Sequence, residues 1–402
     1  MDGTRGNVNA GRGCGHSGGL PPFAPVRVIG LMSGTSADAV DAALVDWPSG
    51  VAARPFRLLA YREEPIPAAL RARIHGLAAG SLPAGRMLAE LVDLDRELAD
   101  RFAEAALGVL RAAGLPPRAV TAIASHGQTV AHHPELGGSL QLGDPSRIAE
   151  RTGLPVVADF RARDLAAGGE GAPLAPFFHH VAFGRAGESR AVLNLGGIAN
   201  LTWLPPDGGT EGVLAFDVGP AGCLVDEVVR RGTGGREQLD RGGRRARAGR
   251  VVPELLVELL DDEYLERPPP KSTGRERYGP ERAESLLARV RAGRYGLDDL
   301  LATLVRATAQ AVAGSLERFA AVPARLLVCG GGARNPAFLA ALRESLPRTR
   351  VETTDSEGVA AEAVEAVAFS LLGRNAWLGL PNHLPACTGA RGPRVLGERV
   401  LP

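Results

Sequence analysis

Three glycine-rich turns stand where a nucleotide clamp would need them. Gly30-Leu31-Met32-Ser33-Gly34-Thr35-Ser36-Ala37-Asp38 lies between the apolar runs Val26–Ile29 and Ala42–Val45. Leu193-Asn194-Leu195-Gly196-Gly197-Ile198-Ala199-Asn200 again separates two apolar runs, and Leu326–Cys329 runs through Gly330-Gly331-Gly332 to Asn335 and a helical pattern. Glycine suits such work because its bare N–H can approach a phosphate oxygen that a Cβ would hold away. Gly34, Thr35 and Ser36 would offer backbone and hydroxyl donors to phosphates, or form a plain hairpin turn. Gly196 and Gly197 would form a second cradle. Gly330, Gly331 and Gly332 with Asn335 would hold the adenosine side, which is compatible with a helix N-terminal turn. Between the last two turns, Phe216-Asp217-Val218-Gly219-Pro220 puts a carboxylate at a strand end. Asp217 there either faces a cleft or caps the helix after Pro220.

These turns need a scaffold, and the chain supplies it twice. Val26–Ser33, Asp41–Trp47 and Arg57–Glu63 read as strands, Pro67–Leu77 and Leu88–Ala112 as helices, and Val120–Ala124 as a strand ending in Ser125-His126-Gly127-Gln128-Thr129. Leu140–Leu142 and Val156–Asp159 read as strands, with helices over Pro145–Thr152, capped by Asp144, and Ala175–Gly184. The pattern restarts at Arg190 with strands Ala191–Leu195, Asn200–Leu204 and Val213–Phe216 and a helix from Cys223 to Arg231. Asp240–Arg250 reads as a solvated Arg/Gly loop, Pro253–Leu259 as a helix, and Pro268–Gly279 as a loop. Helix Asp298–Phe319, strand Arg325–Cys329, helix Pro336–Ser345, strand Arg350–Thr353 and helix Glu362–Leu378 close the second half. Two such halves predict a duplicated α/β architecture around one nucleotide, with domains at 26–188 and 189–402. The last helix is expected to pack back on the first domain.

Global properties narrow the class. With 402 residues, 45% apolar and 23% charged, the chain has the makeup of a soluble globular protein of two domains. A net charge of +1 favours neither nucleic acid nor an anionic membrane as partner. Cys14, Cys223, Cys329 and Cys387 form no C-x-x-C pair, so a reduced cytoplasmic protein is the simplest reading. Residues 1–25 lack an apolar core and are expected to be a disordered tail rather than a secretory signal. Lys271 is the chain's sole lysine, arginine supplying every other strongly basic side chain. On a Pro- and Gly-flanked loop, its compact ammonium is expected either to reach an anionic ligand or to hold the loop against a carboxylate such as Glu276 or Asp226.

Eight segments in order carry a resemblance: GLMSGTSADAVDAALV, ASHGQTVAHHP, LPVVADFRARDLAAGGEGAPLAPFFH, VLNLGGIANL, AFDVGPAG, PPKSTGRERYG, LLVCGGGARNP and TGARGPRVLG. From Gly30 to Gly397 the chain resembles the anhydro-N-acetylmuramic acid kinases, within the superfamily of sugar kinases, actin and heat-shock ATPases. The resemblance implies an actin-like, ribonuclease H-like ATPase fold and a homodimer. It also implies a reaction with ATP and Mg²⁺ in which water opens the 1,6-anhydro ring of anhydro-N-acetylmuramic acid and O6 becomes phosphorylated. Asp217 would be the general base. One carboxylate then suffices where glycosidases need two, because the leaving O6 is captured by a phosphoryl group instead of a proton. Asp38 and Asp41 would steer Mg²⁺ or its waters, or Asp41 would simply begin a strand. Arg163 would pair with the substrate's lactyl carboxylate, or with Asp164 or Asp159. His126 and Gln128 would line the sugar pocket, or His126 would be a core histidine; Glu365 matches a sugar-contacting glutamate of the family, or is a solvated helix glutamate. Three places depart from the family pattern: Ala39 and Ala221-Gly222 replace glycine and Gly-Asn, and Asp240-Arg241-Gly242-Gly243 has lost one acidic residue. Against this reading stand a kinase of another anhydro sugar such as levoglucosan, and a non-catalytic sensor of nucleotide or muropeptide.

Overall fold

The computed structural model describes residues 25–402, apart from the side chains at 84, 275 and 276. Of the tail expected over residues 1–25, residues 1–24 lie outside this description, as does the side chain of Glu276. The first sheet contains β1 (Val26–Ser33), β2 (Ala39–Trp47), β3 (Arg57–Pro65), β4 (Ala122–His133), β5 (Gly138–Leu142) and β6 (Val156–Ala158). The second contains β7 (Arg190–Leu195), β8 (Ile198–Leu204), β9 (Leu214–Pro220), β10 (Arg325–Cys329) and β11 (Arg350–Thr353). A last strand, β12 (Glu398–Val400), pairs antiparallel with β6.

The strand order reveals the duplication. The first sheet runs β12-β6-β4-β1-β2-β3 and the second β11-β10-β7-β8-β9. In each, three consecutive strands form an antiparallel meander, and the first of them pairs in parallel with the strand that follows a long helical crossover. This is the expected duplicated α/β architecture of the actin-like ATPases, read here from its connectivity. β1 and β7 are central and buried on both faces, which explains their near-continuous apolar sequence.

Helix Ala84–Ala113 covers one face of the first sheet, burying Leu94, Leu98, Phe102, Ala106 and Val109 at helical spacing. Helix Val364–Leu378 from the second half covers the other face. Gly30 in β1 makes that possible: a Cβ there would lie 1.8 Å from the Ala366 carbonyl oxygen. Gly373 permits the reciprocal approach to Ala124. The Ser370 hydroxyl donates to the Val28 carbonyl (3.0 Å) and accepts from Trp47 Nε1 (2.8 Å), so the buried polar atoms at this seam are paired.

Some expectations are corrected. Asp240–Arg250 is not a solvated loop. Asp240 is buried and accepts from the backbone N–H groups of Arg245 (2.9 Å) and Ala246 (3.0 Å), capping a short helix at Arg244–Ala248. Helix Pro280–Arg291 was not anticipated, although Pro280 and Glu281 open it and Ala283, Leu286 and Leu287 form its buried stripe. β4 runs through Ser125–Thr129 instead of stopping before them, because Gly127 takes φ +74° inside the strand. Among the described residues no helix is long and apolar enough to cross a membrane.

Candidate active site

A row of side chains crosses the second sheet. Cys329 of β10 stands opposite Asn194 of β7, Asn194 opposite Asn200 of β8, and Asn200 opposite Asp217 of β9. Residues directly opposite share a face, and neighbouring strands are about 4.8 Å apart, so Asp217 stands roughly 10 Å from Asn194. The register between β8 and β9 shifts at Asn200, leaving Val218 as the extra residue of a bulge immediately after Asp217. Such a bulge re-aims the neighbouring side chain.

At the Asn194 end, groups from both sheets converge on Glu365. Asn194 Nδ2 donates to Glu365 Oε1 at 3.3 Å. Burial pushes the Glu365 carboxyl above its usual range, opposed by Arg161 and by the Asn194 bond. Arg161, just past β6, donates through Nη2 to His126 Nε2 (2.8 Å) and through Nη1 to the Gly171 carbonyl (2.7 Å). His126 Nδ1 lies 2.8 Å from the Gly127 carbonyl, so Nδ1 carries the proton and Nε2 is left to accept. Burial and the Arg161 charge hold the imidazole neutral, well below its ordinary pKa. Burial brings Arg161 itself down to about 10, which leaves it charged at neutral pH. Asp159, two residues before Arg161, has φ +53°, one of two non-glycine left-handed residues among those described. That turn sends Arg161 inward.

Besides its pairing with β8, Asp217 is met by segment 264–273. Its Oδ2 accepts from the Thr273 backbone N–H at 3.0 Å, its own N–H donates to the Lys271 carbonyl at 3.2 Å, and its carbonyl accepts from the Tyr264 hydroxyl at 3.0 Å. The first N–H groups of helix Gly222–Gly232, the alternative partners for Asp217, meet backbone instead: Gly222 donates to the Gly196 carbonyl and Cys223 to that of Gly197. Lys271 does not reach for a ligand, as its loop position suggested. It is 7% exposed, and its ammonium donates to the Tyr264 and Leu265 carbonyls at 3.1 and 3.2 Å.

The glycine turns behave differently from one another. At Gly34 and Gly331 a Cβ would meet nothing within 4 Å, so both present bare backbone to open space. Gly330 and Gly332 instead pack on Asn194 and Leu195 of β7, where a Cβ would intrude to 2.2 and 2.6 Å. Gly196 and Gly197 offer their carbonyls to the start of helix Gly222–Gly232: Gly222 N–H donates to Gly196, and Ala221 and Cys223 N–H to Gly197, each at 3.0 Å. Asn335 caps the next helix through the Ala337 N–H (3.0 Å). Gln128 is buried and braces the first turn, accepting from the Ser33 hydroxyl (2.7 Å) and donating to the Gly34 carbonyl (3.2 Å). Its place is beneath the Gly34-Thr35-Ser36 turn.

The acidic candidates separate. Asp38 is exposed and pairs with Arg71. Asp41 accepts from the Tyr61 hydroxyl at 2.7 Å. Burial raises Asp41 to about 7; the Tyr61 bond opposes this, while Glu63 and Glu365 add to it. Among the described residues no three His, Cys, Asp or Glu side chains cluster as a metal cage. Glu63 of β3 meets Arg334 at 3.3 Å, and Arg334 also meets Glu362 at 2.8 Å, an ion pair between the two halves. Arg163 is exposed on the short helix Ala162–Ala166 and is not brought to His126 or Glu365.

Residues 26–401 match the family model described as anhydro-N-acetylmuramic acid kinase. The chain belongs to the anhydro-N-acetylmuramic acid kinase family. A protein of that name from Bordetella petrii is 47% identical, the match covering 95% of this chain and 98% of that one. One from Streptomyces coelicolor is 46% identical over 93% of each chain. One from Caldanaerobacter subterraneus subsp. tengcongensis is 39% identical over 92% of this chain and 96% of its own.

Two departures from the pattern of the anhydro-N-acetylmuramic acid kinases now have a structural setting. Gly222 lets the helix start dock on the second glycine turn, since a Cβ would lie 2.8 Å from the Gly196 carbonyl. Ala39 opens β2 opposite Pro65, and the left-handed residue of the first turn is Ala37, so position 39 has no need of glycine. Sequence reading missed Arg161, Asn194, Asn200, Tyr61 and Glu63. Both asparagines lie within Val192–Leu201, and their strand register was the missing signal.

Proposed function

We propose that this chain uses ATP to open the 1,6-anhydro ring of 1,6-anhydro-N-acetylmuramic acid and to phosphorylate O6, giving N-acetylmuramic acid 6-phosphate. The observation that carries it is Asp217, held by Thr273 and Lys271 in one row with the asparagine that binds Glu365. Asp217 takes a proton from water as the water oxygen bonds to the anomeric carbon. The bond from that carbon to O6 breaks, O6 bonds to the γ-phosphorus, and ADP leaves. No proton has to be delivered to O6, so no second carboxylic acid is needed.

ATP phosphates are read onto the open backbone at Gly34 and Gly331, with Thr35 and Ser36 as hydroxyl donors and Gly196 and Gly197 as the second cradle. The base and sugar of the nucleotide are read beside Gly330, Gly332 and Asn335. Mg²⁺ would supply neutralisation of the phosphate charge, and since it favours oxygen ligands and retains several waters, one carboxylate would be enough to hold it. Asp41 is the carboxylate suited to those waters; Asp38 is drawn off by Arg71. A cytoplasmic homodimer engaged in cell-wall recycling is the setting that the family resemblance suggests.

For the lactyl carboxylate, Arg161 is the stronger candidate than Arg163. It lies at the junction of the two halves and its bonds to His126 and Gly171 leave N–H donors over. Arg161→Ala is expected to raise KM for the muramic substrate by the equivalent of a charge-assisted bond, about 1.5–3 kcal/mol. It should cost less on a 1,6-anhydro sugar without the lactyl group, and Arg163→Ala should change neither KM by more than about twofold, as surface charges do. Steady-state kinetics with both sugars decides. A large, lactyl-dependent loss in Arg163→Ala alone would return the anion site to Arg163.

A further inference from the structure

The sole lysine of the chain is buried, and nothing in the phosphoryl-transfer reading uses its charge. Its ammonium lies 4.8 Å from the centre of the Tyr264 ring, 5.0 Å from Phe319 and 5.6 Å from Phe216. Two carbonyls, of Tyr264 and Leu265, accept from it. Such a box of π-faces and carbonyls suits a compact ammonium and is too narrow a target for a planar guanidinium. This explains why lysine stands here in a chain that uses arginine everywhere else.

The box adjoins the general base. Phe216 precedes Asp217 on β9, and alternation along a strand turns its ring to the core while Asp217 turns the other way. Tyr264 supplies a ring to the lysine and a hydroxyl to the Asp217 carbonyl. The lysine backbone accepts the Asp217 N–H, and two residues later Thr273 N–H reaches the carboxylate. Beyond the short helix Glu263–Glu266 the segment has no strand or helix up to Thr273. Arg318 holds its first part through Glu266 and the Leu265 carbonyl, and the lysine is the side chain that ties its far end back to that part. We propose that Lys271 is a positioning residue: its buried ammonium staples segment 264–273 beneath β9 and thereby sets the Thr273 amide on the Asp217 carboxylate. Burial, reinforced by Arg318 and Arg267, pulls the ammonium down to about 8, so it is held charged at neutral pH against some resistance.

The inference rests on Asp217 being the base, and the test separates the two. Lys271→Met keeps the stem and removes the charge; Lys271→Arg keeps the charge and changes its shape. Both are expected to lower kcat on the order of 10-fold or more, with KM for ATP within about twofold, because the staple acts on the base and not on the nucleotide turns. Asp217→Asn, measured alongside, reports on the base itself. An inactive Asp217→Asn with fully active Lys271→Met and Lys271→Arg overturns the staple alone; a fully active Asp217→Asn overturns the base. Amine acetylation of the wild-type enzyme, read by mass spectrometry, needs no variant to fold. Lys271 should resist the reagent with or without ATP and sugar and react once the enzyme is unfolded. Rapid, complete acetylation of native enzyme that keeps its activity would overturn the proposal.

Discussion

Asp217→Asn is expected to abolish turnover while leaving MgATP binding within about twofold. Asparagine keeps an oxygen for the Thr273 N–H and nearly the same shape, so segment 264–273 should stay in place. What it loses is basicity toward water. A positioned base typically contributes about 10²–10⁴-fold, and kcat should fall by at least that much. Stopped-flow or steady-state phosphate-transfer assays give kcat, and calorimetry gives ATP affinity. Near-normal kcat in this variant would mean that the proton leaves to another group.

Gly30→Ala is expected to cost more stability than any other single methyl added to this chain's central strand. The new Cβ would lie 1.8 Å from the Ala366 carbonyl oxygen and 2.6 Å from the Ser370 nitrogen. Both are backbone atoms of a buried helix and cannot rotate aside. Ordinary overpacking costs about 1–3 kcal/mol, and this contact should exceed the upper end. Helix Val364–Leu378 also carries Glu365, so whatever relieves the clash displaces the junction of the site. Gly34→Ala is the control, since its Cβ meets open space. Urea denaturation should separate the two clearly. A Gly30→Ala protein that unfolds like the wild type would contradict the seam between that helix and β1.

The parts that were legible in the sequence are those with local causes. Bare backbone at a strand end is a local requirement, so the turns at Gly34, Gly196 and Gly331 could be read from glycines placed next to apolar runs. The duplication followed from the same strand pattern beginning twice, at Val26 and at Arg190. The parts that were not legible depend on direction in space. Arg161 and Arg163 are two residues apart and chemically identical; a left-handed Asp159 and a short helix decide which of them turns inward. Lys271 read as a loop residue whose charge would meet an anionic ligand or a carboxylate, because three rings from 216, 264 and 319 meet only in the fold. Gln128 read as pocket lining, yet its bonds run to Ser33 and Gly34, 95 and 94 residues away in sequence. The Arg/Gly stretch read as solvated because the capping by Asp240 is invisible in a run of like charges.

The central claim is that water attacks the anomeric carbon while O6 takes the phosphoryl group. Turnover of ATP and 1,6-anhydro-N-acetylmuramic acid in ¹⁸O-water, with the products analysed by mass spectrometry, tests it directly. The account predicts N-acetylmuramic acid 6-phosphate carrying one ¹⁸O at the anomeric hydroxyl and none in the phosphoryl group, together with one ADP per sugar opened. Label recovered in inorganic phosphate with the anhydro ring intact, or a ring opened without a phosphate on O6, would contradict it.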